Sequence, residues 1–474
     1  MRSRLMGLAL ALIAGASAVR AEPPAALALP ADSLLAALIA ESLAARPELA
    51  AARAEQVARE ERVPAAGALP DPMLEVGLQN DGFERLEIGS MEQSSVTLMA
   101  AQTLPWPGKR GLREEAAALA AQSAASVLER AALDTEAAVR GAYLELRLAR
   151  ARLALLARLQ SLWVQATAVA EARYAAGTGA QLELLRAQLE GSRLAQRRAL
   201  LLAAERQQVQ ALNRLCGRPL DTPIAIGAEP SGLALAPRPA PAEILAASRA
   251  ASPELAAARL ALSAAESGRA LAARERWPDL VLKAGLMPRG GDFDPMWTLS
   301  LGATLPLFAG RKQNRLLAAS EAEQLARRHE LEALEQALAL RVAEREALLV
   351  ALAETIRLYE TGLLQQSTTL TESALAGYAA GTLGFAALAE ASAGRLADED
   401  GYLASLAEAQ RLAIAAAAIS LTPAPTPGVS LAAPAMGGMA AMPAAPARGE
   451  AMTDQASPAP PGAASPAPTP MPGM

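Results

Sequence analysis

The chain has 474 residues, a formal net charge of −5 at pH 7, and 52% apolar residues, yet only 3% aromatics. Alanine therefore carries much of the apolar fraction, which suits long, closely packed helices better than a mixed α/β core. The charge argues against a nucleic-acid partner, and a single cysteine, Cys216, forbids an intrachain disulfide. With one histidine, His329, most metal-hydrolase and Cys/His-nucleophile chemistries are excluded as well.

Arg2 and Arg4 precede an apolar run from Leu5 to Ala18. That run falls short of the ~20 residues needed to span a bilayer. Val19-Arg20-Ala21, or alternatively Ala16-Ser17-Ala18, offers a small-residue cleavage site, so residues 1–21 read as an export signal. No cysteine lies near the cut, which excludes a lipid-anchored mature terminus. Arginines and glutamates interrupt the later apolar runs, so none reads as a transmembrane helix. Entry into a membrane would then fall to strands.

Asp32-Ser33 caps a helix expected from Leu34 to about Arg62, kinked or split at Pro47 and ended by Pro64, Gly67 and Pro70-Asp71-Pro72. Leu74, Val76 and Leu78 then alternate with Glu75, Gly77 and Gln79. After a polar connector starting at Asn80-Asp81-Gly82, Val96, Leu98 and Ala100 alternate with Thr97, Met99 and Ala101. This is a strand hairpin. Leu104-Pro105-Trp106-Pro107-Gly108-Lys109-Arg110 is the joint where strand stops and helix starts, because Pro105 and Pro107 suit neither interior. Helix then runs proline-free to about Ala175, roughly 65 residues and ~100 Å at 1.5 Å per residue. Leu148, Leu155, Leu162 and Val169 stand seven apart, the spacing of a coiled-coil seam. The helix ends at Tyr174-Ala175-Ala176-Gly177-Thr178, where Gly177 suits a left-handed cap and Thr178 can cap the next helix, expected from Ala180 to Leu215.

The order then recurs about 200 residues on. Ser252-Pro253-Glu254-Leu255-Ala256-Ala257-Ala258-Arg259 echoes Arg46-Pro47-Glu48-Leu49-Ala50-Ala51-Ala52-Arg53. Pro278-Asp279 echoes Pro70-Asp71, and Gly285-Leu286 echoes Gly77-Leu78. Leu305-Pro306-Leu307-Phe308-Ala309-Gly310-Arg311 echoes the joint, and Tyr378-Ala379-Ala380-Gly381-Thr382 repeats the turn. Matches in one order at nearly one offset indicate duplication. In the second hairpin, Trp297, Leu299, Leu301, Ala303 and Leu305 alternate with Thr298, Ser300, Gly302 and Thr304. The second long helix shows Val342, Leu349, Ile356, Leu363 and Leu370 at sevens. The expected organisation is a first repeat over 22–218, a linker over 219–241, a second repeat over 242–421, and a Met/Pro/Ala-rich tail over 422–474 whose composition predicts disorder.

The fold class expected is mainly α with a membrane β part: tandem strand–strand–helix–helix units with long antiparallel coiled-coil helices. Four amphipathic strands cannot close a barrel, so chains must combine if these strands meet lipid. Trp106, Trp277, Trp297, Phe83, Phe293 and Phe308 flank the strands while all five tyrosines fall in helical sequence, the distribution of an interfacial girdle. The alternative is a small soluble β layer with aromatics at its edges, on a periplasmic coiled-coil protein whose tail sequesters copper.

On these features the chain resembles the TolC-type outer-membrane efflux factor family over about Ser33 to Leu421. The carriers are the doubled plan, the two Pro-Glu-Leu-Ala-Ala-Ala stretches and the two Tyr-Ala-Ala-Gly-Thr turns. The resemblance implies a homotrimer, a twelve-strand barrel in the outer membrane, and an α-helical duct in the periplasm. It implies a periplasmic adaptor and an inner-membrane pump as partners. Gln102 to Arg110 is similar to the heavy-metal branch that works with RND pumps, which implies copper or silver as cargo; drug or organic-solute efflux and type I secretion use the same fold.

The resemblance places duct closure and adaptor docking at the tip formed by Tyr174, Gly177, Thr178, Tyr378, Gly381 and Thr382. Glu183 and Glu390 follow the two turns. In a symmetric oligomer Glu390 would form a ring of carboxylates attracting cations; the plainer reading is a solvated helix-surface glutamate. Relatives often carry a second acid where Ala387 stands, and some a base where Leu383 stands. Pro105, Pro107, Gly108, Pro306 and Gly310 define the joints. Met436, Met439 and Met442 offer thioethers that suit Cu(I) or Ag(I), or are incidental to a low-complexity tail. His329 reads as a solvated side chain and Cys216 as structural. Gly108-Lys109 lacks the first glycine and the Ser/Thr of a phosphate loop. No catalytic set stands out and no cofactor is expected.

Overall fold

The computed structural model describes residues 32–225 and 240–423. The export signal, most of the linker, and the tail with Met436, Met439 and Met442 lie outside the described residues. Elements follow as α1 (Ser33–Ala45), α2 (Pro47–Gly67), β1 (Met73–Gln79), β2 (Ser95–Leu104), α3 (Lys109–Ala175) and α4 (Gln181–Leu215). Then come α5 (Pro241–Ala251), α6 (Pro253–Arg274), β3 (Asp279–Met287), β4 (Met296–Thr304), α7 (Gln313–Leu358), a π-helical turn (Tyr359–Leu363), α8 (Leu364–Ala380) and α9 (Phe385–Ala417).

Capping explains the first breaks. Asp32 accepts from the Leu34 N–H at 3.0 Å and starts α1. Pro47 cannot continue that helix but suits the first position of a new one, so the chain turns extended at Arg46 and α2 begins. Ser252 and Pro253 do the same for α6, with Ser252 Oγ accepting from the Leu255 N–H at 3.3 Å. Pro64 departs from expectation. It lies inside α2, which runs on to Gly67. There it removes a single hydrogen bond in the last turn, and Gly67 O is held from outside by Arg110 Nε at 2.7 Å.

The strands form one antiparallel sheet in the order β1-β2-β3-β4. Two hairpins were expected; β2–β3 pairing, with Leu98 opposite Leu286 and Leu104 opposite Leu280, fuses them. The registers align the apolar sides across all four strands. Val76, Leu98, Leu286 and Trp297 stand in one row, and Leu74, Ala100, Ala284 and Leu299 in the next. Met73, Ala101, Lys283 and Ser300, and Gly77 with Thr97, lie on the other side. Because side chains alternate with period two, any one-residue slip would mix the sides. Leu74, Val76, Leu78, Leu299 and Leu301 are all well exposed in the single chain.

The α3 helix spans 67 residues. One 18-residue stretch of it is apolar enough to cross a membrane by length and composition, although charged residues interrupt it as expected. Its apolar residues have another use. Leu155, Leu159, Leu162, Trp163, Ala166 and Ala170 form a core with Ala187 and Leu194 of α4 and Tyr378, Phe385 and Leu388 of the second helical pair. Leu144 and Leu148 pack on Ala407 and Ile414 of α9. Ion pairs Arg152–Asp400 (2.6 Å) and Arg158–Glu399 (2.8 Å) flank that contact.

The expected seam of α7 holds only at first. Val342, Leu349 and Ile356 are buried, but Leu363 and Leu370 are 41% and 60% exposed. Thr371 and Tyr378 are buried instead, each one place later than the heptad count. The cause is the π-helical turn, which accommodates one extra residue and rotates everything after it. Deleting Gly362 is expected to convert the turn to α-helix and keep both halves of the seam, leaving circular dichroism and thermal unfolding close to those of the parent. Deleting Ala351 instead should rotate the following helix by about 100°, expose Tyr378 and lower the unfolding temperature by more than 10 °C.

Candidate functional site

At the first joint, Gly108 takes φ 89°, a left-handed conformation favouring glycine. A Cβ there would collide with the Arg274 guanidinium, which donates to Pro107 O at 2.9 Å. Lys109 opens α3 and is 1% exposed. Its ammonium donates to Asp279 Oδ1 at 2.9 Å, Trp277 O at 2.9 Å and Glu275 Oε2 at 3.2 Å. All three donors are thus satisfied, as burial of a charge demands. Asp279 Oδ1 also accepts from the Trp106 N–H at 2.8 Å. Trp106 and Trp277 stack, with centroids 5.1 Å apart and planes 11° from parallel. The joint after β2 is therefore welded to the corner before β3.

The second joint, through Pro306 and Gly310, looks similar in sequence but meets no such corner. Leu307 and Phe308 are 81% and 76% exposed. Gly310 is not left-handed. No hydrogen bond or ion pair is formed by the side chains of Arg311 and Lys312 among the described residues.

At the far end of the helices the two turns share one backbone pattern. Gly177 and Gly381 are left-handed at φ 71° and 75°. Thr178 N donates to Arg173 O at 2.9 Å, and Thr382 N to Gly377 O at 2.9 Å. Thr178 Oγ1 bonds Arg173 O as well (3.2 Å), so Thr178 closes α3 rather than capping α4, whose first-turn cap is Ala180. The tyrosines differ. Tyr174 is exposed, whereas Tyr378 is buried and its hydroxyl donates to Glu183 Oε2 at 3.2 Å. Arg173 donates to Tyr378 O at 3.1 Å and lies 5.0 Å over its ring, while Phe385 meets the ring edge-on. Glu183 and Tyr378 are thus brought together, and the two helical hairpins with them. Glu390 is exposed and forms no ion pair among the described residues.

Sequence reasoning missed Arg173 and Glu275, and it placed Trp277 at a strand end without its stacking on Trp106. Arg173 had one faint signal: it precedes the first turn, while Gly377 precedes the second. His329 is exposed beside Glu332 (3.1 Å), and buried Cys216 lies against Leu38 O, its thiol pushed up by burial. Among the described residues no group of three or more His, Cys, Asp and Glu is placed to hold a metal.

A sheet apolar on one side, with aromatics at both strand ends and one end welded to a long helical rod, is the architecture of a membrane-channel protein. The family description "Outer membrane efflux protein" matches residues 38–217 and 244–417, and the chain belongs to that family. It is an outer-membrane efflux channel, a passive duct rather than an enzyme. No curated protein matches. Solved structures with the same fold include the transmembrane channel CusC, at 20% identity and TM-score 0.71, covering 82% of this chain and 92% of that one. VceC from Vibrio cholerae matches at 19% and 0.69, covering 82% and 97%. The open state of MtrE from Neisseria gonorrhoeae matches at 20% and 0.67, covering 85% and 93%.

Two substitutions probe these contacts. Lys109→Met strands Asp279 and Glu275 and should cost about 3 kcal/mol, the low end for breaking a buried pair, since both acids are partly exposed; denaturant titration reads it, and adding Asp279→Asn should recover part. Tyr378→Phe removes one hydrogen bond and should cost about 1 kcal/mol. Burial first, then the Glu183 charge, raises the Tyr378 phenol. A raised value keeps its contribution whole below the ordinary phenol range and loses it only in strong alkali. The Tyr378→Phe difference should therefore be constant from pH 6 to 9.

Proposed function

We propose that three copies close a twelve-strand barrel in the outer membrane and that their helices continue it as a periplasmic duct. The duct receives substrate from a periplasmic adaptor and an inner-membrane RND pump. The observation that carries this reading is the sheet itself. One side is apolar from β1 to β4, while both outer edges, on β1 and β4, lack a partner strand among the described residues. Lipid offers no donors or acceptors to such an edge. Residues 22–218 and 242–421 act as the two repeats, joined by 219–241.

The tip is the gate. Arg173, Glu183 and Tyr378 hold the two hairpins of one chain together, and exposed Glu390 contributes a ring of carboxylates near the duct's axis. The cargo is a heavy-metal cation such as copper or silver. Support for that choice comes from the Gln102–Arg110 run and from the thioethers of Met436, Met439 and Met442, whose softness suits both ions.

In planar bilayers the purified protein should conduct steadily, and Glu390→Ala should lower its cation-over-anion permeability ratio about twofold with little change in conductance. Unchanged selectivity would remove Glu390 from the pathway. Loss of copper and silver tolerance, but not of organic-solute tolerance, on deleting the gene would support the cargo; the reverse pattern would replace it with drug efflux.

A further inference from the structure

The two joints are related by the internal echo of the sequence, yet only one is completed within the chain. Joint one follows β2, and its corner precedes β3, the strand paired with β2. Joint two follows β4, whose outer edge is free among the described residues. The corner equivalent to Trp277-Pro278-Asp279 is Leu69-Pro70-Asp71, which precedes β1, the other free edge. Asp279 binds the Trp106 N–H and Lys109. Asp71 is exposed and forms no hydrogen bond or ion pair among the described residues. Leu69 and Leu307, which stand where Trp277 and Trp106 stack, are 43% and 81% exposed. By the same echo Gly310 stands where Lys109 does, so the basic charge of the second joint falls one and two residues later, on Arg311 and Lys312, which lie with Asp71 at opposite edges of one sheet, unpaired among the described residues.

We propose, resting on the channel reading above, that a second copy of this chain supplies the missing corner. The β4 edge pairs antiparallel with β1 of the neighbour, and the basic pair Arg311–Lys312 takes Asp71 of the partner subunit in the way that Lys109 takes Asp279. Leu307 then packs on Leu69 of the partner subunit. The register follows from the β2–β3 ladder. Thr103 opposite Val281 becomes Thr304 opposite Met73, and Met99 opposite Gly285 becomes Ser300 opposite Gly77. The same register sets Leu301 beside Val76 and Leu299 beside Leu78, so the apolar side continues across the junction. A slip of one residue would break it. A slip of two would keep the sides but carry Asp71 about 7 Å along the strand, away from the basic pair.

The test uses the full chain with Cys216→Ala, in its native membrane. Oxidation of the variant Ser300→Cys/Gly77→Cys, or of Leu301→Cys/Val76→Cys, should give covalent oligomers, covering both types of opposed position in an antiparallel ladder. Ser300→Cys/Gln79→Cys, which reports the two-residue slip, should give at least fivefold less. Separately, Asp71→Lys should reduce the oligomer that survives detergent at moderate temperature several-fold, as should Arg311→Glu/Lys312→Glu. Combining all three changes should restore it. Cross-linking at 300/79 in place of 300/77, or failure of the combined reversal to restore the oligomer, overturns the proposal. If the parent chain forms no oligomer at all, the channel reading falls with it; an intact oligomer that does not cross-link at 300/77 or 301/76 removes this contact alone.

Discussion

An unpaired strand edge cannot remain in lipid, because hydrocarbon offers nothing to its N–H and C=O groups. A four-stranded sheet has two such edges. Everything unusual about the described chain follows from that. The sheet is apolar on the side that would meet lipid, and it carries Trp106, Trp277 and Phe308 at one end and Phe83, Phe293 and Trp297 at the other. In lipid, both of its outer edges would need partners.

The sheet is joined to the helices through the buried lysine. Lys109 is both the first residue of α3 and the anchor for the start of β3. Lys109 is shielded from water while Glu275 and Asp279 stay partly exposed, and their bonds tie the start of the long helix to the sheet. Gly108 is left-handed, which favours glycine, and the Arg274 guanidinium occupies the space a side chain would need. From there the α3 core of leucine and alanine carries the geometry to the tip, where Tyr378, Arg173 and Glu183 tie one hairpin to the other. The π-helical turn lets two runs of heptads, offset by one residue, share one seam.

Similar sequences in the two halves have different surroundings. The two tip turns have one backbone pattern but exchange roles: Tyr378 is core and Tyr174 is surface. The two joints differ likewise, one welded and one open.

Much of this was legible in the sequence, because it depends on residues close along the chain. Prolines fixed where helices and strands stop, glycines fixed the two turns, and period-two and period-seven patterns identified strands and seams. The doubling was legible as motifs recurring about 200 residues apart, and the outer-membrane setting through the resemblance to a known family. Tertiary structure alone decided which residues meet across hundreds of positions. The fusion of the hairpins through β2–β3, the burial of Lys109 against Asp279, and the pairing of Tyr378 with Glu183 leave no local trace. Leu363 and Leu370 fit the heptad as well as Ile356 does, and only the extra residue of the π-helical turn, fixed by packing against α9, turned them toward solvent.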